Sequence, residues 1–148
     1  NPAVRKQMAL EGAGGYFHEI DVNGFMGGLP ECLAAVERGE VVCIMGDRAG
    51  EAASGQLLEM PFLGRPSAFP VSPYWVAARA GVAVIPMFVA CERRPFRLRL
   101  IFGDPIELAD CHEGRIPAAM LRPALKRYAD ALEAVAQRYP WQIFRFED

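Results

Sequence analysis

The chain is 148 residues long, with 52% apolar and 23% charged residues, and a chain of that size and balance suits one domain that buries roughly 70% of its unfolded surface. Fourteen Arg and two Lys against eighteen acidic residues leave a formal charge of −2, which gives no field to attract nucleic acid. Cys32, Cys43, Cys91 and Cys111 are widely spaced, with no C-x-x-C pair and only two histidines, so no metal site, redox motif or cofactor is expected and the thiols read as reduced.

In chain order, residues 1–10 have helical propensity and stop at the glycines of EGAGG. Residues 16–22 alternate as a short strand ending at Asn23-Gly24. A helix over about 28–38 follows, with Leu29, Leu33 and Val36 at helical spacing, Pro30 in the first turn and Gly39 as the stop. VVCIMGD (41–47) is a short continuous apolar run, the signature of a buried parallel strand. It opens a long loop, 47–70, whose prolines and glycines argue against a regular helix or central strand. Ser72 as N-cap, Pro73 at the first helical position and Gly81 as C-cap delimit a helix, and VAVIPMFVA (82–90) reads as a second buried strand. RLRLIFGD (97–104) alternates Arg97 and Arg99 outward with Leu98, Leu100 and Phe102 inward. Residues 115–139 form the last helix, kinked or divided at Pro123. The expected fold is therefore α/β: a central, mostly parallel sheet flanked by helices, with a right-handed crossover and a long functional loop after one buried strand.

No window approaches the length of a membrane-spanning apolar stretch, and the start carries no signal-peptide pattern. Ligands of open α/β sheets bind beyond the carboxyl ends of the strands, which directs attention to Asp47 and Arg48. Arg48 there, and Arg65 between Gly64 and Pro66, can hold a phosphate or carboxylate bidentately, although a turn-forming Asp and solvated arginines fit the same pattern. The apolar half of the loop, with Leu57, Leu58, Met60, Phe62, Leu63 and Phe69, can cover a hydrophobic ligand, face a membrane or cap the sheet. There is no G-x-S-x-G, P-loop or dinucleotide pattern, and His18 and His112 read as surface histidines.

The order GEVVCIMGDRAGE, MPFLGRPSAFPVSPYWVAARAGVAVIPMFV, DPIEL and a long helix closing in RYPWQIFRFED resembles the bacterial lipid A biosynthesis (late lauroyl/myristoyl) acyltransferases of the lysophospholipid acyltransferase superfamily, from about residue 27 onward. The family's Pro-Phe-Phe-Gly-x-Pro-Ala element corresponds to Pro61-Phe62-Leu63-Gly64-Arg65-Pro66-Ser67-Ala68, and its Val-x-Pro strand to Val84-Ile85-Pro86. The resemblance implies fatty acyl transfer from a thioester on acyl carrier protein or CoA to a hydroxyl of a membrane lipid acceptor, at the cytoplasmic face of the bacterial inner membrane. It implies a substrate-binding set of Asp47, Arg48, Phe62, Gly64 and Arg65, with the loop as an acceptor wall whose phenylalanines meet lipid and whose arginine meets a head-group anion.

The family's general base is a His followed five positions later by Asp or Glu; here His18 is followed at that distance by Asn23, and His112 by Pro117. The expectation is thus a single α/β domain over 1–148, the C-terminal part of a longer enzyme, with no catalytic residue in this segment and no activity on its own. Two alternatives are a different acceptor, such as a lysophospholipid or an amino-acid-linked lipid, and a non-catalytic α/β lipid-binding or scaffold domain.

Overall fold

A computed structural model describes residues 17–21, 25–47, 57–93, 96–109, 111 and 114–142. The helix expected at 1–10 lies outside them, and residues 17–21 of the expected first strand carry no regular structure. The first helix, α1 (Leu29–Glu37), follows a 3-10 turn at Phe25–Gly28 and keeps Pro30 in its first turn, with Gly39 beyond its end at φ +77°.

Residues 41–45 form no strand, and Val41 is 90% exposed. An apolar run signals burial but cannot pair by itself, and no neighbouring strand runs alongside it among the described residues. The segment expected to be loop is instead an antiparallel hairpin of β1 (Leu57–Phe62) and β2 (Arg65–Pro70). The prolines are tolerated because of register. Pro61 faces Pro66, and neither can donate, so the ladder bonds fall on the flanking pairs Phe62/Arg65 and Met60/Ser67 and no proline N–H is needed. Leu63 (φ +49°) and Gly64 (φ +78°) form the two-residue turn, with both residues left-handed as a type I′ hairpin requires.

Helix α2 (Ser72–Ala80) ends as expected at left-handed Gly81, but Ser72 is its first residue and not its cap, and no side chain bonds the helix start. After α2, Val84 makes only an isolated antiparallel bridge to Ile106, and the strand expected at 82–90 begins at Met87. β3 (Met87–Arg93) pairs antiparallel with β4 (Phe96–Phe102), so the described sheets are two antiparallel hairpins and not a mostly parallel sheet. Both apolar runs held the signal for buried strands, but nothing in them specifies direction. The local hairpin closes a shorter loop than a crossover would.

Alternation in β4 is present with the faces reversed: Leu98, Leu100 and Phe102 are exposed, while Ile101 lies opposite Phe88 on the inner face. Period two separates two sets of residues without saying which faces the core, and here the buried Phe88 and Ala90 of β3 decide it. The last helix, α3 (Ala118–Arg138), runs undivided through Pro123, close enough to its start that one missing hydrogen bond to Ala119 is the main loss. Its inner stripe of Leu121, Leu125, Tyr128 and Leu132 packs on Phe62 and Phe69 of the first hairpin, Tyr74 of α2 and Phe88 of β3. None of the helices among the described residues is long and apolar enough to cross a membrane.

Candidate functional site

Tyr128 organises the region. Its ring meets Phe69 and Tyr74 edge to face at centroid distances of 6.3 Å each, and Phe88 at 5.8 Å. Gly46 lies directly on this ring, and a Cβ there would come within 2.7 Å of the Tyr128 Cζ and Oη. The chain therefore passes over the aromatic cluster with no room for a side chain at residue 46, and Asp47, the next residue, is half-buried. Burial, followed by the proximity of Tyr128, pushes the Tyr74 hydroxyl far above its ordinary value.

The first hairpin reaches the same cluster from the other side. Phe62 meets Phe69 edge to face at 6.0 Å, and Phe69 leads on to Tyr128. Phe62 and Phe69 are 5% and 0% exposed, so neither ring forms an apolar wall at the surface, contrary to the sequence expectation. Strand alternation turns Met60, Phe62 and Phe69 to the core, and leaves Leu63 as the exposed apolar residue of the turn. The turn is held from outside the hairpin: the Leu63 N–H donates to Glu133 Oε2 of α3 at 3.0 Å, and Arg122 Nη1 donates to the Glu59 carbonyl at 3.2 Å.

Gly64 has open space around its Cα, so the turn needs it for its left-handed φ and not for close approach. Arg65 is exposed beside it, as the first residue of β2 and the ladder partner of Phe62. Arg48 lies outside the described residues. The structure thus places Asp47 and the Gly64–Arg65 turn at two ends of one aromatic relay through Tyr128, Phe69 and Phe62. No ion pair joins Asp47 to Arg65 among the described residues.

An exposed guanidinium on a braced turn, with an apolar leucine next to it, can receive a phosphate or carboxylate through paired hydrogen bonds. A nucleophile with its base is not assembled among the described residues. His18 is exposed in the irregular 17–21 segment, near enough to Glu40 to help Arg38 hold that carboxyl below its usual range; His112 lies outside the described residues. No group of three metal-ligating side chains gathers among the described residues.

The sequence reads Tyr128 only as one member of the last helix's stripe of Leu121, Leu125, Tyr128, Leu132, Val135 and Tyr139, and gives Glu133 no role. The signal for Tyr128 was a polar-tipped aromatic flanked by leucines within that stripe, whereas Glu133 carried no signal beyond its place on α3.

Residues 17–132, more than three quarters of the chain, match the family model described as bacterial lipid A biosynthesis acyltransferase. Comparison with curated proteins and with solved structures returns no match.

Proposed function

The chain belongs to the bacterial lipid A biosynthesis acyltransferase family, and we propose that it forms the acceptor-binding part of an enzyme that transfers a fatty acyl group from a thioester to a hydroxyl of a membrane lipid such as a lipid A precursor. The donor is an acyl group carried by acyl carrier protein or CoA. In the reaction the acceptor hydroxyl oxygen attacks the thioester carbonyl, the carbon–sulfur bond breaks, and the thiol leaves with the proton taken from the hydroxyl. The base for that proton is a His-x4-Asp/Glu pair, which this sequence does not contain. The 148-residue chain therefore supplies the acceptor side of the reaction without that base, and by itself it turns over no thioester. The working enzyme sits at the cytoplasmic face of the inner membrane.

The observation that supports an acceptor role is the braced turn: Gly64 fixes the backbone, Glu133 holds the Leu63 N–H, and Arg65 is left exposed at the tip. Asp47 and Arg48 supply the second polar group of the acceptor site, and Phe62 supports the turn from beneath. The test is titration of a phosphorylated glucosamine lipid in detergent into the chain, followed by NMR. Arg65→Ala is expected to weaken binding about tenfold or more, since a charge-assisted hydrogen bond contributes about 1.5–3 kcal/mol. Unchanged affinity removes Arg65 from the site, and thioester turnover by the chain alone refutes the reading that it lacks the base.

A further inference from the structure

The outward side of the β3–β4 hairpin is apolar and bare. The register sets Met87 opposite Phe102, Val89 opposite Leu100 and Cys91 opposite Leu98 on one face, and Phe96 extends it toward the hairpin turn. Cys91 is half-buried, while the exposures of the other six run from 49% at Met87 to 73% at Phe96. Phe88, Ala90 and Ile101 point the other way, the first two buried and Ile101 packed against the core. The ladder is thus anchored from behind while its outward face meets solvent.

Charge separates the two faces. None of the three facing pairs contains a charged side chain, whereas Glu92, Arg97 and Arg99 belong by register to the opposite face, where Arg99 Nε donates to Glu92 Oε1 at 2.8 Å. A partner recognised by charge, lipid or protein, would select a face carrying charge of its own. Apolar residues without charge are the composition of the buried centre of a homodimer interface. The area agrees. The six exposed side chains present on the order of 600 Å², at the upper end of the roughly 300–600 Å² that the largest patch of a typical monomer reaches. Two such faces laid together remove on the order of 1,200 Å² from water, which meets the lower bound of about 1,200 Å² for a specific, stable interface.

We propose that this face is a two-fold interface between two copies of the chain. A face that meets itself about a two-fold axis has only to be self-complementary, and two twisted ribbons pack about 10 Å apart with their strands within about 30° of each other. Val89 and Leu100 form the middle pair, 55% and 57% exposed, so the axis passes beside them and brings Leu100 of the two copies close together. Arg97 and Arg99 stay on the outer sides of the pair, where like charges are not stacked on each other. β4 pairs only with β3 among the described residues, but pairing two β4 edges would double the apolar face and cover none of it, so packing face to face is favoured. The interface rests on no acyl transfer and its test reads association alone, so it and the proposed function fail independently.

The test is sedimentation velocity of the 148-residue chain across the micromolar range, since interfaces near this size dissociate at micromolar concentrations or below. The chain is expected to form a dimer and to stop at two. Leu100→Lys sets two ammonium groups against each other across the axis and is expected to raise the dissociation constant about tenfold or more, with far-ultraviolet circular dichroism unchanged. Mixing the Leu100→Lys and Leu100→Glu chains is expected to restore the dimer, which a merely destabilised fold would not do. Arg97→Gln, on the opposite face, is expected to leave the dissociation constant unchanged. If Leu100→Lys fails to fold, Val89→Thr decides, because it keeps the β-branched shape of the strand and is expected to weaken the dimer several-fold. A monomer at every concentration overturns the proposal, and flotation of that monomer with vesicles of phosphatidylcholine and phosphatidylglycerol assigns the face to lipid instead. A dimer unchanged by the substitutions at Leu100 and Val89 overturns it as well, and open-ended growth with concentration overturns it in favour of edge pairing at β4.

Discussion

Substituting Gly46 by alanine tests the seat of the candidate site. The added methyl would stand 2.7 Å from Cζ and Oη of Tyr128, about 1 Å inside the 3.5–4.0 Å at which carbon atoms pack. Tyr128 cannot swing aside cheaply, because Phe69, Tyr74 and Phe88 enclose its ring. Gly46 itself has no left-handed φ, so the cost is steric and not conformational. Overpacking of this kind costs about 1–3 kcal/mol, and for a chain of this length that corresponds to a fall in Tm of roughly 3–9 °C. Urea denaturation measures the cost directly. A double-mutant cycle with Tyr128→Leu locates it, since the truncated side chain no longer reaches the new methyl and Gly46→Ala should then be nearly neutral. A change below about 0.5 kcal/mol in the unaltered background, or an equal cost with and without the Tyr128 ring, would refute the close packing of residue 46 on Tyr128.

Leu63→Asn places an Asn-Gly pair in the left-handed turn and is expected to raise stability by about 0.5–1 kcal/mol, read as a higher urea midpoint. Glu133→Gln keeps the shape of the brace but removes its charge, costing about 1 kcal/mol and raising the hydrogen-exchange rate of the Leu63 amide. Tyr74 is 1% exposed, and its hydroxyl has no hydrogen-bond partner among the described residues, so Tyr74→Phe is expected to be neutral or to stabilise by about 1 kcal/mol. The same residue governs alkaline behaviour: the folded hydroxyl keeps a proton that the unfolded chain releases near its ordinary value of about 10, so stability falls as pH climbs above that point. In Tyr74→Phe the decline should be shallower, as thermal melts across the alkaline range would show.

Much of the helical framework could be read from punctuation. Pro30 with Gly39 and Pro73 with Gly81 delimit α1 and α2 because the first turn of a helix tolerates a missing N–H and its end admits a left-handed residue. The apolar stripe of α3 was equally legible, since it repeats over five turns. The first hairpin was hidden because its turn is Leu-Gly and not Asn-Gly, and because its prolines look like strand breakers until the pairing of Pro61 with Pro66 is known. The orientation of β4 could not be decided from its own residues, since Leu98 and Ile101 are equally apolar and only the partner strand selects between them. Arg65 and Gly64 at the candidate site were readable from the local motif. The support beneath them was not, because Tyr128 and Glu133 reach it across more than sixty residues of intervening chain.

Gln142, in the short 3-10 turn after α3, accepts the Cys91 N–H at its Oε1 (2.6 Å) and donates from its Nε2 to the Cys91 carbonyl (2.8 Å). A side-chain amide offers the same donor and acceptor as a peptide unit, so Gln142 imitates one residue of an additional strand at the margin of β3. A strand from another molecule arriving at that register finds its hydrogen bonds already taken. One glutamine thus closes this register of the β3 edge to strand addition, in a hairpin that already exposes Leu98, Leu100 and Phe102 on its outer face.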